Sequence, residues 1–233
     1  MPRWKNKLMT TEDVQRIKRD AVLKEAGRAF SKRGFHNTSL DDVAKALQVS
    51  KGTLYNYVQD KQEILFEFYR IGTEIGNRAF EIGEAAGGSG ADVLRTVLQT
   101  YIRLLTEELG ACGALMELDA LRPEDRAVAV KSRDAFQRKF LTLIEAGIKD
   151  GSLRPIEDPK LAIYSFMGAI NWMPRWYDQK GRLSSGELAE AMTELLLGGL
   201  VADEDSESIG QPPLSPSRVP ARRASSKSTR TQV

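Results

Sequence analysis

Apolar side chains recur at helical spacing along almost the whole chain, and no strand-length window shows the period-two alternation of a half-buried strand. Ile17, Ala21, Val22, Ala26, Ala29 and Phe30 form a stripe that predicts a helix over 11–33, stopped by Gly34. Ser39, with Asp42 three residues later, caps a short helix ending near Gln48 whose inner face is Val43, Ala44 and Leu47. After a tight turn at Val49-Ser50, Ser50 caps a two-turn helix over 51–58. There Leu54 and Val58, four apart, point inward with Val43 and Leu47. Asp60, with Glu63 three residues on, starts a long helix reaching about residue 85. Beyond the break "AAGGSGAD", further helices are predicted over 91–109, 113–121, 124–150, 158–178 and 184–200, punctuated by Pro123, Gly151 with Pro155, and Gly181. Seven Ser and four Pro among residues 203–233, with few apolar side chains, predict a disordered tail.

The expected fold is therefore all-α, with about nine helices. Residues 1–10 form a basic arm, 11–60 a three-helix head, and 61–202 a larger helical body. A short helix, a tight turn and a second short helix, braced by a longer first one, make a helix-turn-helix, whose second short helix enters the major groove of double-stranded DNA. In that arrangement Lys51, Thr53, Tyr55, Asn56 and Tyr57 face outward. Gly52 removes a side chain where backbone must approach DNA. Lys51 and Lys61 supply charge for phosphates. Tyrosine hydroxyls bond phosphate oxygens, Thr53 offers a methyl and a hydroxyl, and Asn56 can pair an adenine edge. Thr38 and Ser39, at the start of the preceding helix, offer backbone amides to a phosphate.

Charge supports this division. The chain carries +2 overall, but residues 1–61 hold 13 Lys and Arg against 7 Asp and Glu, whereas residues 62–200 hold 16 against 21. A basic head on an acidic body suits a polyanionic partner. The basic arm at Arg3, Lys5 and Lys7 could reach a minor groove. No signal-peptide apolar core follows it and no apolar run reaches the ~18 residues of a membrane span, so a cytoplasmic protein is expected. One Cys (Cys112), one His (His36) and no spaced carboxylate set give no metal site, no catalytic residues and no cofactor, which argues against an enzyme. "GGSG" reads as a hinge rather than a phosphate loop.

The run "FHNTSLDDVAKALQVSKGTLYNYVQDKQEIL" resembles the DNA-binding domain of TetR-family transcriptional regulators. The match spans about Ile17 to Leu65 and keeps Ser50, Gly52, Thr53, Leu54, Tyr55, Tyr57 and Lys61. It departs from the family pattern at Gln48, where Gly is common, and at Val58, where Phe is common. The resemblance implies a homodimer that represses from a palindromic operator and is loosened by a small effector in the C-terminal domain.

The helix over 158–178 is apolar nearly all round and must be covered on more than one side. Its small residues Ala162, Ser165, Gly168 and Ala169, with Leu188, Met192, Leu195 and Leu196 of the last helix, suit a four-helix dimer interface. In "INWMPRWYDQKGRLS", Pro174 kinks or ends the helix. Asn171 with Arg175, and Trp172 with Trp176, lie four apart on adjacent faces, which suits either a ligand site or an aromatic cap on the core. "NWMPRWY" followed by "GRLS" resembles the C-terminal domain of a TetR subgroup that senses acyl-CoA thioesters of fatty-acid, aromatic-acid or steroid-ring catabolism. Carried over, the resemblance puts Arg175 and Trp176 near the effector, with Asn171 and Trp172 behind, and leaves Lys180 and Arg182 as further phosphate-binding candidates. A multidrug sensor and an architectural DNA binder without effector are the competing readings.

Overall fold

The computed structural model describes residues 10–109 and 117–201. Among these, eight α-helices follow one another: α1 (Thr11–Arg33), α2 (Leu40–Ala46), α3 (Lys51–Tyr55), α4 (Lys61–Ala86), α5 (Gly90–Glu108), α6 (Pro123–Asp150), α7 (Pro159–Trp172) and α8 (Ser185–Leu197). No strand is formed among them; a single antiparallel bridge joins Leu153 to Val201. The described residues lie in one compact unit, and none of their helices is long and apolar enough to cross a membrane. The basic arm, Cys112 and the 203–233 tail lie outside the described residues, as do residues 113–116 of the expected 113–121 helix; in its described part, Leu118–Ala120 is a single 3-10 turn.

Short-range chemistry sets most of the boundaries. Thr10, Ser39, Ser89 and Ser184 each cap a helix reciprocally with an acid three residues on. Asp60 caps α4 by accepting from the Glu63 amide at 2.8 Å. The helix expected over 51–58, α3, stops at Tyr55, with Asn56 as its C-cap. The helix expected over 158–178 ends at Trp172 and becomes a 3-10 turn at Met173–Arg175, since Pro174 has no amide with which to continue it.

In the head, Val22, Ala26 and Phe30 of α1 pack with Val43, Leu54 and Val58, and Phe30 meets Phe35 and Phe68 edge-on at 5.2 and 6.2 Å. The expected stripe on α1 begins only at Val22. Ile17 is 52 % exposed and Ala21 is also open, because α2 and α3, seven and five residues long, cover only the second half of the 23-residue α1.

In the body, α5 packs on α4, α6 and α8, and α7 packs on α6. Phe80, Phe136 and Phe140 meet edge-on at 4.9–5.6 Å and tie α4 to α6. The expected "GGSG" hinge is anchored rather than free. The Gly90 amide donates to Asp150 Oδ2 at 2.7 Å and the Ala91 amide to Ser152 Oγ at 3.0 Å. A Cβ on Gly90 would fall 2.3 Å from Gly147 Cα, so α5 and α6 cross there backbone to backbone.

The α2–α3 turn holds Gln48 at φ 55, the left-handed region. The Gln48 amide bonds Lys45 O at 3.1 Å and the Val49 amide bonds Ala44 O at 3.0 Å, a Schellman closure normally built on glycine. A side chain in this conformation costs about 1 kcal/mol. Gln48→Gly is therefore expected to raise the denaturation midpoint, by about 1 kcal/mol in chemical melts. A fall in stability would show that the Gln48 side chain contributes more than its backbone strain costs.

Candidate nucleic-acid interface and effector pocket

Leu54 anchors α3 with no exposed surface, and Val58 just beyond the helix is 2 % exposed. With that side fixed, Lys51, Gly52, Thr53, Tyr55 and Asn56 all lie exposed on one short surface. The Ser50 hydroxyl accepts from the Thr53 amide at 3.1 Å and lies 2.8 Å from the Thr53 hydroxyl. Lys51 Nζ sits 2.9 Å from an Asp41 carboxylate oxygen and 5.9 Å from the Tyr55 ring centre. That hydrogen bond, and then the Asp41 charge, raise the Lys51 pKa above its ordinary value, so the group is a cation throughout the neutral range. Tyr57 is half-buried against the core, and its carbonyl accepts from Arg19 at 2.7 Å.

Three of the expected DNA contacts, Thr38, Ser39 and Lys61, make hydrogen bonds within the protein. Thr38 is 2 % exposed; its hydroxyl donates to the carbonyls of Gly34 and Ala29 at 2.9 and 3.3 Å, and its amide to Phe35 O at 3.3 Å. Ser39 gives its amide and hydroxyl to Asp42 at 3.0 and 2.6 Å. Lys61 Nζ donates to Phe35 O at 2.7 Å and Thr38 O at 3.0 Å, and lies 4.3 Å from the Phe35 ring centre. Burial holds its pKa below the ordinary lysine value. This ammonium clamps the α1–α2 loop onto the start of α4. Lys61→Ala is expected to lower stability by about 2 kcal/mol, since two carbonyls lose a charged donor, while leaving the salt dependence of DNA binding unchanged. Lys51→Ala is expected to do the reverse, reducing the slope of log affinity against log salt by about 1 per head with little change in melting. Equal salt slopes for the two variants would restore Lys61 to the phosphate surface.

The body holds a cavity of about 440 Å³ between α4, α5, α6 and α7. Gly72, Thr73 and Asn77 border it from α4, Tyr101 from α5, Arg133, Phe136 and Lys139 from α6, and Met167 and Asn171 from α7. Leu118, in the 3-10 turn before α6, closes one side. Phe136 lies over Gly76, where an added Cβ would fall 2.6 Å from the ring, so that glycine makes room for the aromatic wall. Tyr101 is 6 % exposed, its ring centre 5.1 Å from that of Phe136. Lys139 Nζ donates to Asn77 Oδ1 at 3.1 Å. A second groove of about 400 Å³, lined by Arg138, Thr142 and Glu84 among others, shares Ala135 and Lys139 with the first.

Residues 22–68 match the family described as bacterial regulatory proteins, tetR family, and residues 87–200 match the tetracyclin repressor-like C-terminal domain. A TetR/AcrR-family transcriptional regulator from Thermobifida fusca is 30 % identical, with the match covering 78 % of this chain and 98 % of that one at a TM-score of 0.53. The chain belongs to the TetR family. The HTH-type transcriptional repressor KstR2 of Mycolicibacterium smegmatis is 26 % identical over 192 residues, 80 % of this chain and 92 % of the relative. AibR, in a crystal structure with isovaleryl coenzyme A and operator DNA, has the same fold at a TM-score of 0.62 and 24 % identity, over 76 % of this chain and 97 % of that one.

Within this TetR-type body the four expected effector residues separate. Asn171 lines the cavity, but Trp172 and Trp176 are 56 % and 52 % exposed, and the Arg175 guanidinium lies 5.7 Å from the Trp172 ring centre. The helix ends at Trp172, and the 3-10 turn carries the following residues off the face that presents Met167 and Asn171. Lys180 and Arg182 are exposed and do not line the cavity. The basic groups beside it are Arg133 and Lys139, which sequence reading missed. A signal was present in α4, where Gly72, Thr73, Gly76 and Asn77 interrupt an otherwise apolar inner face.

The expected dimer residues also divide. Ala162 and Leu188 are 8 % and 1 % exposed inside the protomer's own core, and Met192 and Leu196 pack against it half-buried. Ala169 is half-buried, while Ser165, Gly168 and Leu195 are open. The free surface of α7 carries Leu161, Tyr164, Ser165, Gly168 and Trp172.

Proposed function

We propose that the chain is a transcriptional repressor that holds a palindromic operator as a homodimer and lets go when an acyl-CoA thioester fills the cavity in its body. The exposed set Lys51, Gly52, Thr53, Tyr55 and Asn56, on a helix fixed from behind by Leu54, carries the DNA reading. In a two-fold dimer the two such helices enter successive major grooves, about 34 Å apart. The open apolar faces of α7 and α8 supply the contact between protomers.

The effector reading is supported by the apolar cavity with Arg133 and Lys139 at its edge and Arg138 in the adjoining groove, a layout that suits an acyl group attached to a phosphorylated carrier. The coenzyme A complex of AibR is compatible with it. Coupling to the head runs through residues Glu117 to Arg122. Leu118 borders the cavity. Ala120 O accepts from Gln62 Nε2 at 3.0 Å, Arg122 pairs with the Asp60 cap, and Glu117 lies 3.8 Å from His36. An acyl group that displaces Leu118 thus acts on the first turn of α4.

Fluorescence anisotropy on labelled DNA from upstream of the gene, at fixed salt, tests this. Release by one thioester and not by its free acid supports repressor and effector class together. Release only by amphiphilic drugs replaces the acyl-CoA reading with a multidrug sensor. Binding that no small molecule disturbs removes the effector.

A further inference from the structure

The surface proposed to meet DNA carries a group that phosphates repel. Asp41 is the second residue of α2, and 49 % of its side chain is exposed. Lys51, the first residue of α3, reaches it across the turn. The Lys51 ammonium lies 2.9 Å from one carboxylate oxygen and 3.2 Å from the other. Because Lys51 stands on the exposed surface with Gly52, Thr53 and Tyr55, this contact sets the Asp41 carboxylate at the edge of that surface.

Helix architecture does not call for it. The neighbouring Asp42 closes the capping box with Ser39 and lies 3.7 Å from Arg33. Asp41 caps nothing, and an ion pair as open as the one it makes contributes little to stability. Beside a phosphate backbone its charge weakens binding to every sequence alike. That loss is offset only where a base donates a hydrogen bond to the carboxylate. In the major groove the donors are the amino groups of cytosine and adenine. Adenine sets its N7 acceptor next to the amino group and so repels a carboxylate, whereas the cytosine edge carries no acceptor of its own. Lys51, bonded to both oxygens, offsets the charge toward the phosphates and holds the carboxylate in one position before DNA arrives.

We infer that Asp41 is a specificity-determining residue that accepts a hydrogen bond from a cytosine amino group in each operator half-site. The inference rests on the DNA-binding reading and extends its base contacts from α3 to α2. One well-placed contact of this kind gives about a tenfold preference over the wrong base.

The test is selection from a randomised duplex library, followed by anisotropy at fixed salt on single-base-pair variants of the selected site. It uses the full chain as wild type, Asp41→Ala and Asp41→Asn. Thermal midpoints are expected to stay near that of the wild type, because Asp41 caps no helix. The wild type should prefer one cytosine in each half-site about tenfold. Asp41→Ala should become indifferent at that base pair and keep its preferences elsewhere. Asp41→Asn, whose amide can pair the N6 and N7 of adenine, should accept adenine there. Identical preferences in the wild type and Asp41→Ala, a loss spread evenly over all positions, or continued exclusion of adenine by Asp41→Asn overturns the inference and leaves the repressor reading standing. A wild type that selects no sequence overturns both.

Discussion

Replacing Gly52 with alanine should leave the fold intact and weaken operator binding by at least an order of magnitude. Gly52 is exposed, and a Cβ added there meets only Ser50 Oγ, at 3.9 Å, so nothing inside the protein requires a glycine. Alanine also has the higher helix propensity, by up to about 1 kcal/mol in a helix interior, so melting should stay level or rise slightly. The constraint must come from outside. In the proposed complex the first turn of α3 lies against DNA, and a methyl forced into a packed interface costs about 1–3 kcal/mol. A dimer suffers this twice, so affinity should fall by a factor of roughly 30 to 10⁴. Paired thermal melts and anisotropy titrations separate the two effects. Wild-type affinity in Gly52→Ala would mean that α3 does not offer its first turn to the groove.

The second large effect is expected from Leu161→Asp with Trp172→Asp. These side chains are 61 % and 56 % exposed, so the substitution removes little packing within the protomer. Together with Tyr164 at 56 % and Leu195 at 81 %, they are large apolar side chains that α7 and α8 leave open. Two carboxylates on that surface, repeated by symmetry, would have to be desolvated for the protomers to meet. Sedimentation equilibrium should then report a monomer with an unchanged circular dichroism spectrum. Operator affinity should fall by roughly 10²–10⁴, the contribution of tethering two heads. A variant that remains dimeric would move the interface off α7.

The head was legible in sequence because its boundaries are written locally. Ser39, Ser50 and Asp60 cap the helices they precede, and Gly34 stops α1. The internal partners of Lys61 were not legible, because its carbonyl acceptors lie 23 and 26 residues away and a lysine that clamps a loop looks in sequence like one that meets DNA. The cavity was illegible for the same reason on a larger scale: Thr73, Tyr101, Phe136 and Asn171 stand far apart in sequence and meet only when four helices pack. Trp172, Arg175 and Trp176 drew attention because an exposed aromatic patch and a ligand cage have the same composition. The end of α7 at Trp172 leaves both indoles more than half exposed.

The braces at the base of the head have a mechanical consequence. Arg19 reaches both Tyr57 O, at 2.7 Å, and Glu63, at 3.0 Å, while Lys61 bonds the α1–α2 loop. The head is thus bolted to α4 and turns with it as a single stiff rod. At 1.5 Å per residue, the 26 residues of α4 make a rod about 39 Å long, so a tilt of about 5° about its far end swings Lys61 by about 3 Å. On the proposed effector reading, gearing of this kind would let an acyl group shift side chains by ångströms at the cavity while each helix-turn-helix keeps its own shape and merely arrives out of step with the groove.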